Sequence, residues 1–456
     1  MVIFLLWWAS ACCIFTLVDA RATSHLYREL LNNAPPGITY TFPRGSNALM
    51  SVKTTTTTSS KPYIQKLQPI HSAARTNKRS VAAILGTHQR SVGGTGYTNV
   101  STTNAYGTQY ATDSFWDGSK VKLLLDTGSS DTWAVAKSFQ CINYAGGYIP
   151  QESCSFGPYS VEKFQYGRTE PASHMYIQYG DGETVSGPMG FSDITVGNLT
   201  VSRQQVCLAN STYWLGNNVT SGLLGMAFPA LTNAFLGDGT DHELGSAIQY
   251  SPFFTSLVDQ GKIDPIFSLA IDRNSSTGML ALGGIAPATG LDETREVSMD
   301  MIITNLIGIP ATSYAYSFYT VIPDGWYYDH STSTKKIPYI VDSGTTLCYL
   351  PPNLAEAINA AYSPPGVYMW MYGAYFTDCN ALSPLVAVIL NGVKFWINPQ
   401  DMIYRNMVDP ISGLCMTGIA SGGAGPYILG DVFMQNALSI FDIGQAKMRF
   451  IPRDKY

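Results

Sequence analysis

The sequence predicts an all-β protein with a few short helices and two similar halves. Charged residues make up 13% of the 456 residues, well below the ~25% of an average globular protein. Glycine (42) and tyrosine (28) are abundant, and together with many Val, Ile and Thr residues they favour β-strands. A short apolar stretch ending in Asp-Ser/Thr-Gly occurs twice, about one domain length apart, which predicts the two halves.

The chain begins with a segment typical of secreted proteins. Residues 2–18 form an apolar run, and Val18-Asp19-Ala20 is a small-residue cleavage pattern, so residues 1–20 are interpreted as a signal peptide. A membrane anchor is the alternative, because the usual positive charge at the start is missing, but ~17 residues is at the lower limit for a spanning helix. We expect no membrane anchor, and either secretion or delivery to an acidic vacuole.

Residues 21–79 differ in composition from the rest. They contain a Thr/Ser-rich tract at 54–60 and end at the basic pair Lys78-Arg79, a typical processing site in secreted precursors. Residues 1–79 carry nine Lys/Arg and two Asp/Glu, whereas the remainder carries 18 and 30. A basic leader is attracted to an acidic body until carboxylates are protonated below ~pH 4. We therefore interpret 21–79 as an inhibitory pro-segment that is released in acid; a solvated charge pair at 78–79 is the alternative.

Two further segments carry helix signals. Ser251-Pro252 can serve as N-cap and first residue of a helix over 253–260. Asn353 can cap a helix over 354–362, whose apolar residues recur on one face.

The repeated motif is the feature that predicts function. Apolar runs at 121–125 and 337–341 predict strands, and each leads into a motif Asp, at Asp126 and Asp342. A single Asp-Thr-Gly is explained equally well as a turn. Two copies, each after a buried strand and 216 residues apart, indicate a catalytic pair.

Paired carboxylates suit peptide hydrolysis without a metal or cofactor. The reaction needs a general base to activate water and a general acid for the carbonyl oxygen and the amine. Two close carboxyl groups do not both ionise easily, so they share one proton and supply both functions. We therefore predict Asp126 and Asp342 as the catalytic residues, and expect no metal.

The residues after each aspartate are predicted to orient it. The N–H groups of Gly128 and Gly344 can bond the carboxylates, and the hydroxyls of Ser129 and Thr345 can donate to their outer oxygens. The predicted supporting residues are Thr127, Gly128, Ser129, Ser343, Gly344 and Thr345.

These motifs resemble the pepsin family of aspartic proteases. The family has a Trp seven residues after the first Asp, here Trp133, and a flap with Tyr-Gly-x-Gly, here residues 179–182. Its two apolar-apolar-Gly segments, which thread beneath the catalytic loops, match 223–225 and 428–430. The resemblance covers roughly residues 105–452, and the residues of the motifs are most similar to those of secreted fungal members.

The resemblance implies the architecture and the activity. It implies a bilobal pepsin-like fold of two homologous β-barrel-like lobes, with the active cleft between them. The N-terminal lobe would be 80–290 and the C-terminal lobe 291–456. It implies a monomeric endopeptidase that cuts polypeptides at acidic pH. Tyr179, bonded to Trp133, would close over the substrate with Gly180 and Asp181.

Six cysteines remain after the signal peptide, and they allow 15 pairings. The resemblance implies the bridges Cys141–Cys154 and Cys379–Cys415. It implies no bridge for Cys207 or Cys348, and Cys348, directly after the second motif, is predicted to be a buried free thiol.

Other features concern the surface and the specificity. Potential glycosylation sites occur at Asn99, Asn198, Asn210, Asn218 and Asn274. Trp214 is a candidate wall of a substrate pocket. In the fungal relatives an Asp at the place of Asp181 accompanies acceptance of Lys before the cut bond; a solvated turn residue is the alternative.

Two rival functions would also explain parts of the sequence. A protein of the same fold that has lost catalysis could act as an inhibitor or a glycan-binding glycoprotein, and a surface glycoprotein could be structural. Both motif aspartates, both glycines and the flap tyrosine are present, which weighs against these rivals. Motifs for serine or metal-dependent hydrolysis are absent from the sequence, and the net charge of -5 gives no reason to expect a nucleic-acid partner.

Overall fold

The computed structural model describes residues 96–102, 109–238, 246–273, 278–306 and 315–453, together with the backbone of 38–41, 53–54 and 63–64. Of residues 99, 101, 102, 305 and 306 it likewise describes the backbone alone. The predicted signal peptide, Lys78-Arg79 and Asn274 lie outside the described residues.

Strands make up most of the described chain. Those up to residue 282 are β1 (Ile38–Thr41), β2 (Lys53–Thr54), β3 (Tyr63–Ile64), β4 (Gly96–Thr102), β5 (Tyr110–Trp116), β6 (Ser119–Asp126), β7 (Thr132–Ile142), β8 (Tyr148–Ile149), β9 (Ser173–Gln178), β10 (Thr184–Val196), β11 (Leu199–Tyr213), β12 (Gly222–Gly225), β13 (Ala234–Leu236), β14 (Ala247–Ile248), β15 (Ile266–Ala270) and β16 (Gly278–Leu282). The later ones are β17 (Val297–Asp300), β18 (Ile303–Leu306), β19 (Thr320–Val321), β20 (Gly325–Tyr328), β21 (Ser331–Ser333), β22 (Tyr339–Val341), β23 (Cys348–Leu350), β24 (Val367–Met369), β25 (Ala374–Thr377), β26 (Val386–Leu390), β27 (Val393–Ile397), β28 (Ile403–Val408), β29 (Cys415–Thr417), β30 (Ile419–Ser421), β31 (Ile428–Leu429), β32 (Ala437–Asp442) and β33 (Lys447–Pro452).

Helices are few and short. The α-helices are α1 (Phe253–Asp259), α2 (Pro352–Ala360) and α3 (Asp431–Met434). The 3₁₀ helices are Gln151–Cys154, Pro229–Leu231, Glu293–Arg295, Pro399–Met402 and Ile443–Gln445. In the described part of the chain, no helix is long and apolar enough to cross a membrane.

The N-terminal half contains a closed barrel. Its strands follow the order β10, β11, β7, β12, β6 and β5, and β5 pairs back onto β10 through Trp116 opposite Ile194. A separate cluster of buried side chains, with Trp133 and Trp214 at its centre, packs next to the barrel under the β9–β10 hairpin. This hairpin is the predicted flap.

The C-terminal half is built from three smaller sheets. One has the order β19, β22, β31, β23 and β30 and carries the second motif. The others are β21-β20-β26-β27 and β24-β25-β29-β28. The β26–β27 turn uses Asn391 and Gly392, both with positive φ (46° and 79°), as a two-residue hairpin turn requires.

A continuous sheet joins the halves. Strands β16 and β15 of the first half continue into β32, β33 and β17 of the second. Across this junction the rings of Phe267 and Phe441 stack with centroids 4.3 Å apart. Strand β1, from the predicted pro-segment, pairs with β18 of the second half. These features confirm the predicted all-β, bilobal fold.

Each motif strand has a parallel partner from later in its own half. Strand β12 runs beside β6, and β31 runs beside β22. Glycine is required at the end of each partner strand because the motif loop of the same half crosses over it. A Cβ on Gly430, at the end of the second such segment, would overlap the carbonyl oxygens of Thr345 and Leu347. This arrangement explains why an apolar-apolar-Gly segment follows each motif.

Both predicted helices exist, but neither has the predicted cap. Helix α1 begins after Pro252, and the Ser251 hydroxyl donates to the Asp259 carboxylate instead of capping the helix. The prediction of Asn353 as a cap was wrong. Helix α2 begins at Pro352 with Pro351 before it, because the fixed φ of proline already suits the first helical position.

Candidate active site

The two motif aspartates lie at equivalent positions in the two halves. Asp126 is the last residue of β6, and Asp342 directly follows β22. Both side chains are buried, with 6% and 8% of their surface exposed. A Cβ built on Gly128 would lie 2.5 Å from the Asp342 carboxyl carbon. The two motifs therefore meet face to face, and glycine is needed at their contact.

Reciprocal hydrogen bonds lock the two loops together. The Thr127 N–H donates to Ser343 Oγ (3.2 Å), and the Ser343 N–H donates to Thr127 Oγ1 (2.9 Å). The Thr127 hydroxyl donates to the carbonyl oxygen of Val341 (3.1 Å), and the Ser343 hydroxyl to that of Leu125 (2.9 Å). Each motif is thus held by the strand that carries the other.

The carboxylates are oriented by their own loops. The N–H of Gly128 donates to Asp126 Oδ1 (2.7 Å), and the N–H of Gly344 donates to Asp342 Oδ1 (2.8 Å). The outer Oδ2 atoms accept hydrogen bonds from the hydroxyls of the third motif residues, Ser129 and Thr345. Four donors therefore fix the two carboxyl groups in matching orientations.

The electrostatics favour a retained proton. Burial raises the pKa of Asp126, and the negative charge of Asp342 raises it further. Hydrogen bonds from Ser129 and Gly128 oppose this shift in the pKa but do not cancel it. A buried pair of this kind holds one proton well above the pH at which an isolated carboxyl group loses it.

Sequence reasoning did not single out a third buried acid, Asp431. It opens helix α3, is fully buried, and its carboxyl oxygens have no hydrogen-bond partner among the described residues. Burial raises the pKa of Asp431 strongly, and the charges of Asp342 and Asp126 add to the effect. The signal available in the sequence was the Gly430-Asp431 pair after the apolar segment.

The flap is anchored by aromatic contacts. The Trp133 indole N–H donates to the Tyr179 hydroxyl oxygen (2.8 Å). Trp214 packs edge-to-face against Trp133, with centroids 5.1 Å apart, and against Tyr179, at 5.7 Å. Burial and the nearby Asp126 charge raise the pKa of Tyr179, so its phenol stays neutral.

At the tip of the flap, Gly180 and Asp181 are exposed. The Asp181 side chain accepts the N–H of Glu183 (3.1 Å). Glu183 itself is buried, with 7% exposure, and sequence reasoning missed it because the family pattern ends at Gly182.

The cysteines pair as the resemblance implied. The bridges Cys141–Cys154 and Cys379–Cys415 are formed, with Cα atoms 5.8 and 5.0 Å apart. Cys207 and Cys348 are free and buried. Burial raises the pKa of Cys207 well above its usual value and that of Cys348 to about 12, so both remain unreactive thiols.

The candidate glycosylation sites have different surroundings. Asn198, Asn210 and Asn218 are exposed. Asn99 lies within strand β4.

Fold and site together define a class of protein: a two-lobed hydrolase with paired aspartates beneath a tyrosine-bearing flap. The family model for eukaryotic aspartyl proteases matches residues 117–452, and the chain belongs to this family. It has the pepsin-like fold and the activity of an aspartic endopeptidase.

Similar proteins include fungal enzymes. A "probable aspartic-type endopeptidase" of Aspergillus fumigatus is 36% identical over 87% of this chain and 88% of its own length. An "acid protease" of Saccharomycopsis fibuligera is 27% identical over 73% of this chain and 77% of its own length. Rhizopuspepsin of Rhizopus chinensis is 28% identical over 74% and 75%.

Proposed function

We propose that this chain is a secreted, monomeric acid endopeptidase, made as a precursor, in which Asp126 and Asp342 form the catalytic dyad. The observation that carries the proposal is the reciprocal bonding of Thr127 and Ser343, which brings the two carboxyl groups together across 216 residues. A pair of buried carboxyl groups that shares one proton can supply both the general base and the general acid that peptide hydrolysis needs.

The chemistry follows from the shared proton. The ionised carboxylate accepts a proton from a water molecule while the water oxygen attacks the peptide carbonyl carbon. The protonated carboxyl group gives its proton to the carbonyl oxygen, which forms a neutral tetrahedral intermediate. The carboxyl group that took the water proton then protonates the peptide nitrogen, while the other carboxylate takes a proton from a hydroxyl of the intermediate; the C–N bond breaks, the product carboxyl group forms, and the dyad again holds one proton. The donors from Gly128, Gly344, Ser129 and Thr345 orient the acid and the base in advance.

The dyad is tested by single substitutions. Asp126→Asn and Asp342→Asn should each abolish pepstatin-sensitive cleavage of haemoglobin at about pH 3–4 while leaving folding and secretion nearly intact. Asp329→Asn is the matched control, because this exposed aspartate lies in a turn with φ 41°, a conformation that asparagine tolerates. Substantial activity in either dyad variant would overturn the assignment. Absence of cleavage by the correctly processed wild type would favour the inactive binding protein.

The precursor hypothesis rests on charge and on one pairing. Residues 21–79 are rich in basic residues whereas the remainder of the chain is acidic, and the antiparallel pairing of β1 with β18 supports docking of this segment on the C-terminal half. We expect the precursor to be inactive near neutral pH and to be cut at Lys78-Arg79 in acid. A precursor that stays intact and inhibited at about pH 3, with this bond uncut, would exclude the hypothesis. N-terminal sequencing after acidification gives the answer.

Secretion is supported by the N-terminal apolar run and by two disulfides, which persist in oxidising compartments. The exposed positions of Asn198, Asn210 and Asn218 are compatible with glycans. Asn→Gln at each site should reduce the mass of the secreted protein stepwise. Recovery of the protein inside an acidic vacuole instead of the medium would correct the destination.

The exposed Asp181 supports a substrate hypothesis. Its carboxylate at the flap tip could pair with a Lys side chain of the substrate immediately before the cut bond, in addition to apolar residues accepted by the pocket near Trp214. Asp181→Ser should then lose cleavage after Lys and keep cleavage after apolar residues. Equal cleavage after Lys by both proteins would remove the hypothesis.

A further inference from the structure

A buried acid at the base of the flap has no role in the dyad chemistry. Glu183 follows the flap turn, and its side chain is 7% exposed. Its Oε1 atom accepts a hydrogen bond from the backbone N–H of Leu215 at 2.5 Å. This bond joins the flap to residues 214–218, in the connection between β11 and β12, which we call the anchor loop.

The anchor loop is itself held at both ends. On one side Trp214 contacts the rings of Trp133 and Tyr179. On the other side the N–H of Gly216 donates to the Cys154 carbonyl oxygen (3.1 Å), within the Cys141–Cys154 disulfide loop. A Cβ on Gly216 would overlap that carbonyl oxygen, so the loop sits tightly there. The Glu183 bond therefore connects the flap to a cross-linked part of the lobe.

The second neighbour of Glu183 is a carboxyl group. The Asp181 side chain accepts the backbone N–H of Glu183 (3.1 Å), and its negative charge acts on the Glu183 carboxyl group. Burial, followed by the charge of Asp181, raises the pKa of Glu183 to about 8, although the Leu215 N–H opposes this rise in the pKa. Glu183 is thus neutral throughout the acidic range.

The other titratable groups around Glu183 are phenols. Tyr179 belongs to the flap, and the charge of Glu183 contributes to the rise in the pKa of Tyr179. From the neighbouring elements, Tyr213 lies opposite Thr184 in the β10–β11 pairing, and the Tyr144 ring, from the disulfide loop, contacts that of Tyr213 at 5.9 Å. None of these neighbours offers a positive charge that would stabilise an ionised Glu183.

We propose that neutral Glu183 is a positioning residue that fastens the flap to the anchor loop, and that loss of its proton releases the flap. In the protonated form, Glu183 accepts the Leu215 N–H without placing a second negative charge beside Asp181, and it holds Tyr179 above the catalytic aspartates. In the ionised form, the negative charges of Glu183 and Asp181 lie side by side at the base of the flap, and that of Glu183 is buried. Separation of the flap from the anchor loop lets water reach both carboxylates, so ionisation favours release of the flap. The role at Tyr179 rests on the proposed dyad, but the fastening itself does not.

Hydrogen exchange tests the fastening without any turnover. Exchange of the amides of 179–183 and of Leu215 is followed in the mature protein from about pH 6 to about pH 9 and corrected for the intrinsic rate. Wild-type protection should fall by up to roughly tenfold per pH unit until the pH reaches the pKa of Glu183 and should level off above it, because only the fastened form has the raised pKa. Glu183→Gln keeps an acceptor for Leu215 and does not titrate, so its protection should stay constant. Glu183→Leu, which removes the acceptor, should be poorly protected at every pH.

Two results would overturn the proposal. One is the same pH dependence in wild type and Glu183→Gln, which would place the titrating group elsewhere. The other is full protection in Glu183→Leu. Glu162→Leu is the matched control, since Glu162 is an exposed acid of the same lobe paired with Lys137, and its flap should exchange as in wild type. A wild type that hydrolyses nothing but shows the expected exchange would contradict the dyad and leave the fastening intact.

Kinetics separate positioning from simple destabilisation. In acid, Glu183→Leu should raise KM for a peptide substrate roughly tenfold, the scale expected for loss of one buried hydrogen bond, with a smaller change in kcat. Glu183→Gln should restore KM to within about twofold of wild type, because it mimics the protonated acid. Equal losses in the Gln and Leu variants would show that the bond to Leu215 is not what positions the flap.

Discussion

Thr127→Val is the sharpest test of how the site is assembled. The Thr127 side chain is completely buried, and its hydroxyl accepts the Ser343 N–H and donates to the Val341 carbonyl oxygen. Valine has nearly the same shape, so the change removes two hydrogen bonds and leaves both partners buried. Each unsatisfied group costs ~1–3 kcal/mol, so we expect a loss of about 2–6 kcal/mol in the free energy of unfolding. Since 1 kcal/mol shifts the Tm of a mid-sized domain by roughly 2–4 °C, Tm should fall by about 5 °C or more.

The same change should act on catalysis. Because the lost bonds hold the two carboxyl groups relative to each other, a displacement of under ~1 Å should lower kcat by about 10- to 100-fold, with little change in KM. Thr320→Val is the matched control: Thr320 is also buried and shares a hydroxyl hydrogen bond with Thr304 (2.7 Å), in the second half of the chain. It should lower Tm and leave kcat close to wild type. Calorimetry and steady-state kinetics provide both values. A folded Thr127→Val enzyme with wild-type kcat would refute the view that this interlock positions the dyad.

Three further predictions concern the flap, the third acid and a disulfide. Trp133→Phe and Tyr179→Phe should each lower kcat/KM about tenfold, and the double variant should lose little more, because both remove the same hydrogen bond. Asp431→Asn should not shift the alkaline limb of the pH–activity profile, because the raised pKa keeps Asp431 neutral there. A shift of that limb to lower pH would contradict this expectation, because it would mean that an ionised Asp431 had been raising the pKa of the dyad. Replacing Cys379 and Cys415 together by Ser should lower the free energy of unfolding by about 2–4 kcal/mol, as measured by denaturant titration.

Much of the architecture could be predicted because local signals and the fold agree. The apolar runs before Asp126 and Asp342 are strands, and the turn at 391–392 has the backbone that Asn-Gly favours. The helix starts could not be placed as reliably. Asn353 is a good cap residue, but Pro351-Pro352 fixes the backbone earlier, so proline geometry outweighed a side-chain cap.

The residues that were missed are those whose importance depends on burial. Asp431 and Glu183 are ordinary acids in the sequence, and only the folded chain shows that each is enclosed by other elements. The interlock of Thr127 with Ser343 is invisible locally as well, because its partners are 216 residues apart. Sequence identified the members of the supporting set, whereas their division into residues that orient a carboxylate and residues that join the loops required the structure.

The geometry also implies an order in which the site can form. Every bond of Thr127 that defines the interlock reaches a residue of the second half, and Ser343 reaches back to Leu125 of the first. A Cβ at Gly128 would overlap the Asp342 carboxyl group, so the loops approach too closely to tolerate an error in packing. Neither motif can therefore reach its observed conformation until both halves are folded and joined through the sheet of β15 and β32. The paired carboxyl groups, and with them the raised pKa of Asp126, arise only in the completed molecule, so a partly folded chain would lack the shared proton on which the proposed dyad depends.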